Sequence, residues 1–365
     1  MIDITCMSHS SNVAGERFED LIEFVDKAIN HWSFMMTNNR RMRRTFALLA
    51  LESGARDSAV RWYAWWEVAR QLRVHLKHVE HVVRDPNGGS DKTRAKMINL
   101  LDNHLNGLKL ELAMIEDMGR PLVLMCYGLE GNGFLAPLTF DVWNAVLAHF
   151  DKVSDFNDAV EKAPTLAATV AAIHPNDIIA QAADFNATMS KARPVWAKLQ
   201  DDNLGRLGDQ MRVFRLCRLF NYDFVARHTV EALLEEFNQY APTVPLLPNT
   251  DALRRRFTEY KARATLYATT NPLQPDLAGG QTLSITQQAD SLWAFWRQQT
   301  IALPEWYRAA EEVALIMTSS AFVERVFSIY DSLFGKEQQS TLEDRREASV
   351  LMRVNGNERK KERPM

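Results

Sequence analysis

Apolar side chains return every three or four residues over most of this chain, and that period limits it to folds in which helices bury stripes against one another. Phe18, Leu21, Ile22, Val25, Ala28, Ile29 and Trp32 fall on one helical face. Met97, Leu100, Leu101, Leu105, Leu108 and Leu112 repeat the pattern, as do Phe140, Trp143, Val146, Leu147 and Phe150. Only 15 Gly and 13 Pro interrupt 365 residues, so long helices are expected. The period predicts about a dozen helices and at most a strand or two. A short strand is expected where Ile2, Ile4 and Cys6 alternate with Asp3, Thr5 and Met7.

Composition narrows the function classes. A chain with 46% hydrophobic and 24% charged residues is ordinary globular protein. Its net charge of -3 provides no global field toward nucleic acid, so such binding would need local patches. Cys6, Cys126 and Cys217 are too few and too scattered for a disulfide framework and suit a reducing compartment. No apolar run approaches the ~20 residues of a membrane span, and the first residues lack the pattern of a signal peptide.

Two basic clusters fit phosphate contacts: Arg40, Arg41, Arg43 and Arg44, and farther on Arg254, Arg255 and Arg256. Both also fit a solvated helix start, the preferred reading for the first, since no aromatic residue is interleaved to stack on bases. Trp62, Tyr63, Trp65 and Trp66 are closely spaced on a helix expected to reach about Val83, and core packing is their preferred reading. Cys6 and His9 have a spacing that would suit a zinc site, but no second pair lies nearby, so no metal is assigned. Gly119-Arg120-Pro121 is expected to end a helix that began near Ser90. Thr139 is a candidate cap of the next helix. Residues 271–286, with Pro272, Pro275, Gly279 and Gly280, are the expected boundary. Beyond them, Glu324 stands between Ser320 and Ser328 on a helix and has no charged partner at three- or four-residue spacing.

The end of the chain resembles the C-terminal dimerisation region of the hAT-family DNA transposases. Trp293, Trp296, Leu303-Pro304, Trp306, Ser319-Ser320-Ala321, Glu324-Arg325-Val326-Phe327-Ser328, Val350, Met352, Arg353 and Asn355 carry that likeness. Upstream, Cys6 with His9, Val60-Arg61-Trp62 with Trp65-Trp66-Glu67, and Leu129-Glu130-Gly131 resemble further family elements, with Asn132 where the family has an aspartate.

The resemblance implies a mainly α chain, with an all-helical insertion followed by the C-terminal helices of a ribonuclease-H-like core. Residues 1–12 would be a remnant of that core, 13–283 the insertion, 284–355 the dimerisation region and 356–365 a disordered tail. Glu324 would be the family's metal-binding glutamate. Its two partner aspartates have no counterpart here, and one carboxylate cannot hold two magnesium ions. The expectation is therefore an N-terminally truncated, catalytically incomplete protein without a cofactor, binding magnesium only if the missing aspartates were supplied. It would dimerise, or form higher oligomers, with itself or with related hAT proteins through Trp293, Trp296, Trp306, Val326, Phe327 and Leu333. DNA would be a further partner and the nucleus its location, with no membrane involved. The alternatives are the C-terminal part of an active transposase, or a DNA-binding regulator derived from one.

Overall fold

The computed structural model describes residues 7–50, 62–85, 92–131, 133–151, 160–205, 207–243, 247, 249–273 and 283–318. The first half contains α1 (Met7–Glu16), α2 (Glu23–Asn38), α3 (Arg40–Ala50), α4 (Trp62–Val74), α5 (Leu76–Arg84), α6 (Lys92–Asn103), α7 (Leu105–Leu129) and α8 (Ala136–Phe150). The second half contains α9 (Pro164–Ile173), α10 (Ile178–Met189), α11 (Arg193–Leu204), α12 (Gly208–Cys217), α13 (Tyr222–Arg227), α14 (Val230–Tyr240), α15 (Thr250–Arg255), α16 (Phe257–Thr270), α17 (Ile285–Gln298) and α18 (Pro304–Ala314).

Among the described residues every regular element is helical and none is a strand. A ribonuclease-H-like core is built on a central sheet. The expectation of such a core is therefore overturned, and with it the hAT architecture. The strand expected at Ile2–Cys6 lies outside the described residues, as do Glu324, Val326, Phe327 and Leu333.

α7 is the helix on which the others converge. It packs against α1, α2, α4, α6, α8, α9, α10 and α17, and it buries residues around nearly its whole circumference, from Leu108 to Leu129. Gly119 lets α4 approach closely, because a Cβ there would sit 2.7 Å from Cδ1 of Trp66. Trp62, Trp65 and Trp66 are buried, which agrees with their reading as core, and Trp66 donates its indole N–H to the Ile115 carbonyl at 3.2 Å.

Two acids on α7 terminate other helices. Ile22 gives α2 no side-chain cap. Instead the Glu111 carboxylate, 1% exposed, accepts from the backbone N–H groups of Phe24 and Val25 at 2.9 Å each, and Lys191 reaches its other oxygen at 2.6 Å. Asp117 likewise accepts from the Leu166 N–H at 2.8 Å, near the start of α9. Both supply acceptors that the first turn of a helix lacks.

Contrary to expectation, α7 does not end at Pro121 but continues to Leu129. Proline removes the N–H that would bond the carbonyl four residues back, at Asp117. That carbonyl accepts from Nε2 of His149 at 3.1 Å, so the freed acceptor is satisfied from α8. Thr139 is not a cap: it sits inside α8 and its hydroxyl donates to the Leu135 carbonyl. Thr229, Asn249 and Ser284 cap α14, α15 and α17, the last in a reciprocal box with Gln287.

The second half closes around aromatic rings. Trp306 lies 4.5 Å from Tyr260 and 5.4 Å from Phe220, and Trp296 lies 5.1 Å from Tyr260. Each polar edge is satisfied: Trp296 donates to the Phe220 carbonyl, Trp306 to Leu253 and Tyr260 to Leu219. Trp296 and Trp306, expected as dimer anchors, are fully buried in this core, while Trp293 is half-buried between Phe134 and Tyr307. The helices on either side of residues 271–286 therefore share one core.

Candidate nucleic-acid interface

α2, α3, α5 and α6 form a small bundle around Ile29, Trp32, Phe46, Val79, Val83, Met97 and Leu101. Burial of Met42 and Phe46 turns the opposite face of α3, with Arg40, Arg41 and Arg44, to solvent. Arg43 points back and donates to the Met36 carbonyl at 3.1 Å. Asn39 joins α2 to α3: its N–H bonds the Met35 carbonyl at 2.8 Å, and its side chain accepts from the Met42 N–H at 3.0 Å. The arginines are therefore fixed in the first turns of α3.

Other cations come to the same end of the bundle. Asp85, just past α5, lies 3.8 Å from Arg41, and its carbonyl accepts from Arg94 of α6 at 2.6 Å. Arg94 also donates to the Val83 carbonyl at 2.7 Å. Lys92 opens α6 two residues before Arg94, and Arg84 closes α5 beside Asp85. Arg84 is held by Glu80 at 3.0 Å and Asp102 at 2.6 Å, and these carboxylates raise its pKa. One bundle end thus gathers Arg40, Arg41, Arg43, Arg44, Lys92 and Arg94, while the Arg84 guanidinium is directed along α6 to Asp102. Among the described residues, Arg40, Arg44 and Lys92 are exposed and have no carboxylate partner.

This arrangement runs against local helix energetics. α3 and α6 have no acid in their first turns, where the backbone dipole favours anions, and both begin on cations. Each misplaced cation costs about 0.3–1 kcal/mol at such a position. Local violations of this kind are expected at functional or strained sites.

The second arginine cluster is occupied differently. Arg256 contacts Glu259 at 2.7 Å and Glu305 at 3.1 Å and donates to the Ala302 carbonyl. Arg254 pairs with Asp251 at 2.7 Å and bonds Asn238. These links fasten α15 to neighbouring helices, and only Arg255 is left exposed without a partner among the described residues. Sequence reasoning missed Lys92 and Arg94, whose contribution arises from the packing of α5 and α6.

No group of His, Cys, Asp and Glu suited to a metal occurs among the described residues, and no described helix is long and apolar enough to cross a membrane. His9 lies in α1 and Cys6 outside the described residues. No protein-family model matches the chain, and no curated protein is similar to it. Without a family match and without a sheet among the described residues, the likeness to hAT transposases does not hold. Scattered tryptophans and short motifs carried it, and the tryptophans that the structure describes are chiefly core residues of this fold.

Proposed function

We propose that the chain is a helical nucleic-acid-binding protein that grips the phosphate backbone with the basic end of its first bundle. The observation that supports this is the contact of Arg41 and Arg94 with Asp85 at one bundle end, where Arg40, Arg44 and Lys92 are exposed and have no carboxylate partner among the described residues. Binding through such a surface releases condensed counterions, so its affinity falls steeply with salt. The net charge of -3 confines the attraction to this patch.

Fluorescence anisotropy with labelled single-stranded and duplex oligonucleotides tests the reading. The unmodified chain is expected to bind at ~50 mM salt and to lose most of its affinity by ~200 mM. Reversing two charges, Arg40→Glu with Arg44→Glu, should weaken binding about tenfold or more and flatten the salt dependence. Absence of binding at low salt, or binding indifferent to the double reversal, would refute the assignment. Arg255→Glu serves as a control and should have little effect.

A further inference from the structure

A groove runs between α2 and α6 and continues around the start of α7. It comprises two adjoining hollows of about 530 and about 300 Å³ that share Phe24 and His104. The larger is bordered by Lys27, His31, Lys96 and Asn99, the smaller by Asn103 and Asn106.

The two shared rings form a stacked pair, with centroids 4.9 Å apart and planes inclined by 19°. The pair is rigidly founded. Phe24 rests on Gly107, where a Cβ would come within 2.6 Å of Cε2, and its backbone N–H is held by the buried Glu111 carboxylate. His104 immediately precedes α7, and its N–H bonds the Leu100 carbonyl at 2.9 Å. The residue is exposed. A flat, partly solvated π-face is thus presented beside Lys96 and the Lys27–Glu23 pair.

The acids of the groove are already engaged. Glu23 pairs with Lys27, and Asp102 with Arg84. Lys96 has no carboxylate partner among the described residues. Burial, with Lys96 nearby, lowers the pKa of His31; Asp26 acts in the other direction, and Lys27 lowers it further.

We propose that nucleic acid crosses this groove as a single strand, with an unpaired base on the His104–Phe24 stack and a phosphate over Lys96, flanked by His31. The inference rests on the nucleic-acid reading above and names the form of the ligand. A duplex hides its base faces and can offer the groove only its backbone. A single strand offers both a π-face and a phosphate, the pair of features found here. Asn99 is already bonded to Asn103 at 2.8 Å, whereas Asn106 has no side-chain partner among the described residues and is available to a base edge.

The test compares the full chain with its His104→Ala, His104→Phe and Lys96→Glu variants, using labelled oligothymidylate of about 20 nucleotides, a matched duplex and heparin as probes. The unmodified chain should bind the single strand more tightly than the duplex. His104→Ala should lose about tenfold on the single strand and nothing on duplex or heparin, since stacking alone is removed. His104→Phe should retain the single-strand affinity, which also shows that the site tolerates substitution. Lys96→Glu should weaken single-strand binding several-fold. If duplex and single strand bind equally and His104→Ala changes neither, the groove proposal falls while the basic-end reading stands. If neither binds at low salt, both fall.

Discussion

At the scale of single residues, Glu111 shows what a pattern in the sequence conceals. Read locally it is a polar residue on the apolar helix α7. In the fold it accepts two backbone N–H groups from α2 and the Lys191 ammonium. Truncation in Glu111→Ala would orphan both donors, and at about 1–3 kcal/mol for each unsatisfied group the expected loss is roughly 3 kcal/mol or more in urea unfolding. Glu111→Gln keeps an acceptor and should lose clearly less; equal losses would show that charge alone matters. The arginines were legible only as clusters. The four arginines between residues 40 and 44 are visible in the chain, but Lys92 and Arg94 join them only because α5 and α6 pack together. Part of the fate of Arg256 could be read, since Glu259 stands three residues on; its link to Glu305 could not.

At the scale of elements, helical periodicity was a sound guide and helix punctuation a poorer one. The stripes of α2 and α8 are buried as their spacing requires. The helix expected from Asp57 to about Val83 is, over the described residues from Trp62, two helices that break at His75, and α6 is separated from α7 at His104. Pro121 failed as a stop because the carbonyl it frees has a partner, His149, that no local rule could supply. This dependence is sensitive to pH. Burial lowers the pKa of His149 below its ordinary 6.5, Lys162 lowers it further, and the bond to Asp117 acts against both. A base whose pKa is depressed by folding takes up its proton more readily when unfolded. Its contribution is therefore complete above the unfolded pKa and lost as pH falls through the folded one. Urea midpoints should drop as pH is lowered from about 7.5 to about 5.5, and the drop should be smaller in His149→Gln. Asp117 and Asp141, raised chiefly by burial, give stability in the opposite sense, present at low pH and lost as pH rises. A His149→Gln profile parallel to that of the parent would remove the argument.

At the scale of the molecule, the helical class was readable from the period, whereas the family likeness was not supported by the fold. Isolated residues such as Trp296 and Trp306 suit many helical cores, so their order along a chain says little about topology. The expected division near residue 284 falls between helices that share the rings of Phe220, Tyr260, Trp296 and Trp306. α17 also packs on α7, and the Met7 N–H bonds the Thr318 carbonyl at 3.1 Å. Cooperative unfolding follows: tryptophan fluorescence and far-ultraviolet circular dichroism should report one coincident transition. Two separated transitions would show that residues 283–318 fold as their own unit.

The remote cap on α2 also sets an order of assembly. α2 emerges from the ribosome without a side chain to close its first turn, and Glu111 is made 86 residues after Val25. At roughly 5–20 residues per second, the start of α2 waits several seconds for its acceptor. Through that interval the α2 first turn, at Phe24 and Val25, has no α7 to close on, while α3 and α6 emerge in turn to cover Ile29 and Trp32 farther along.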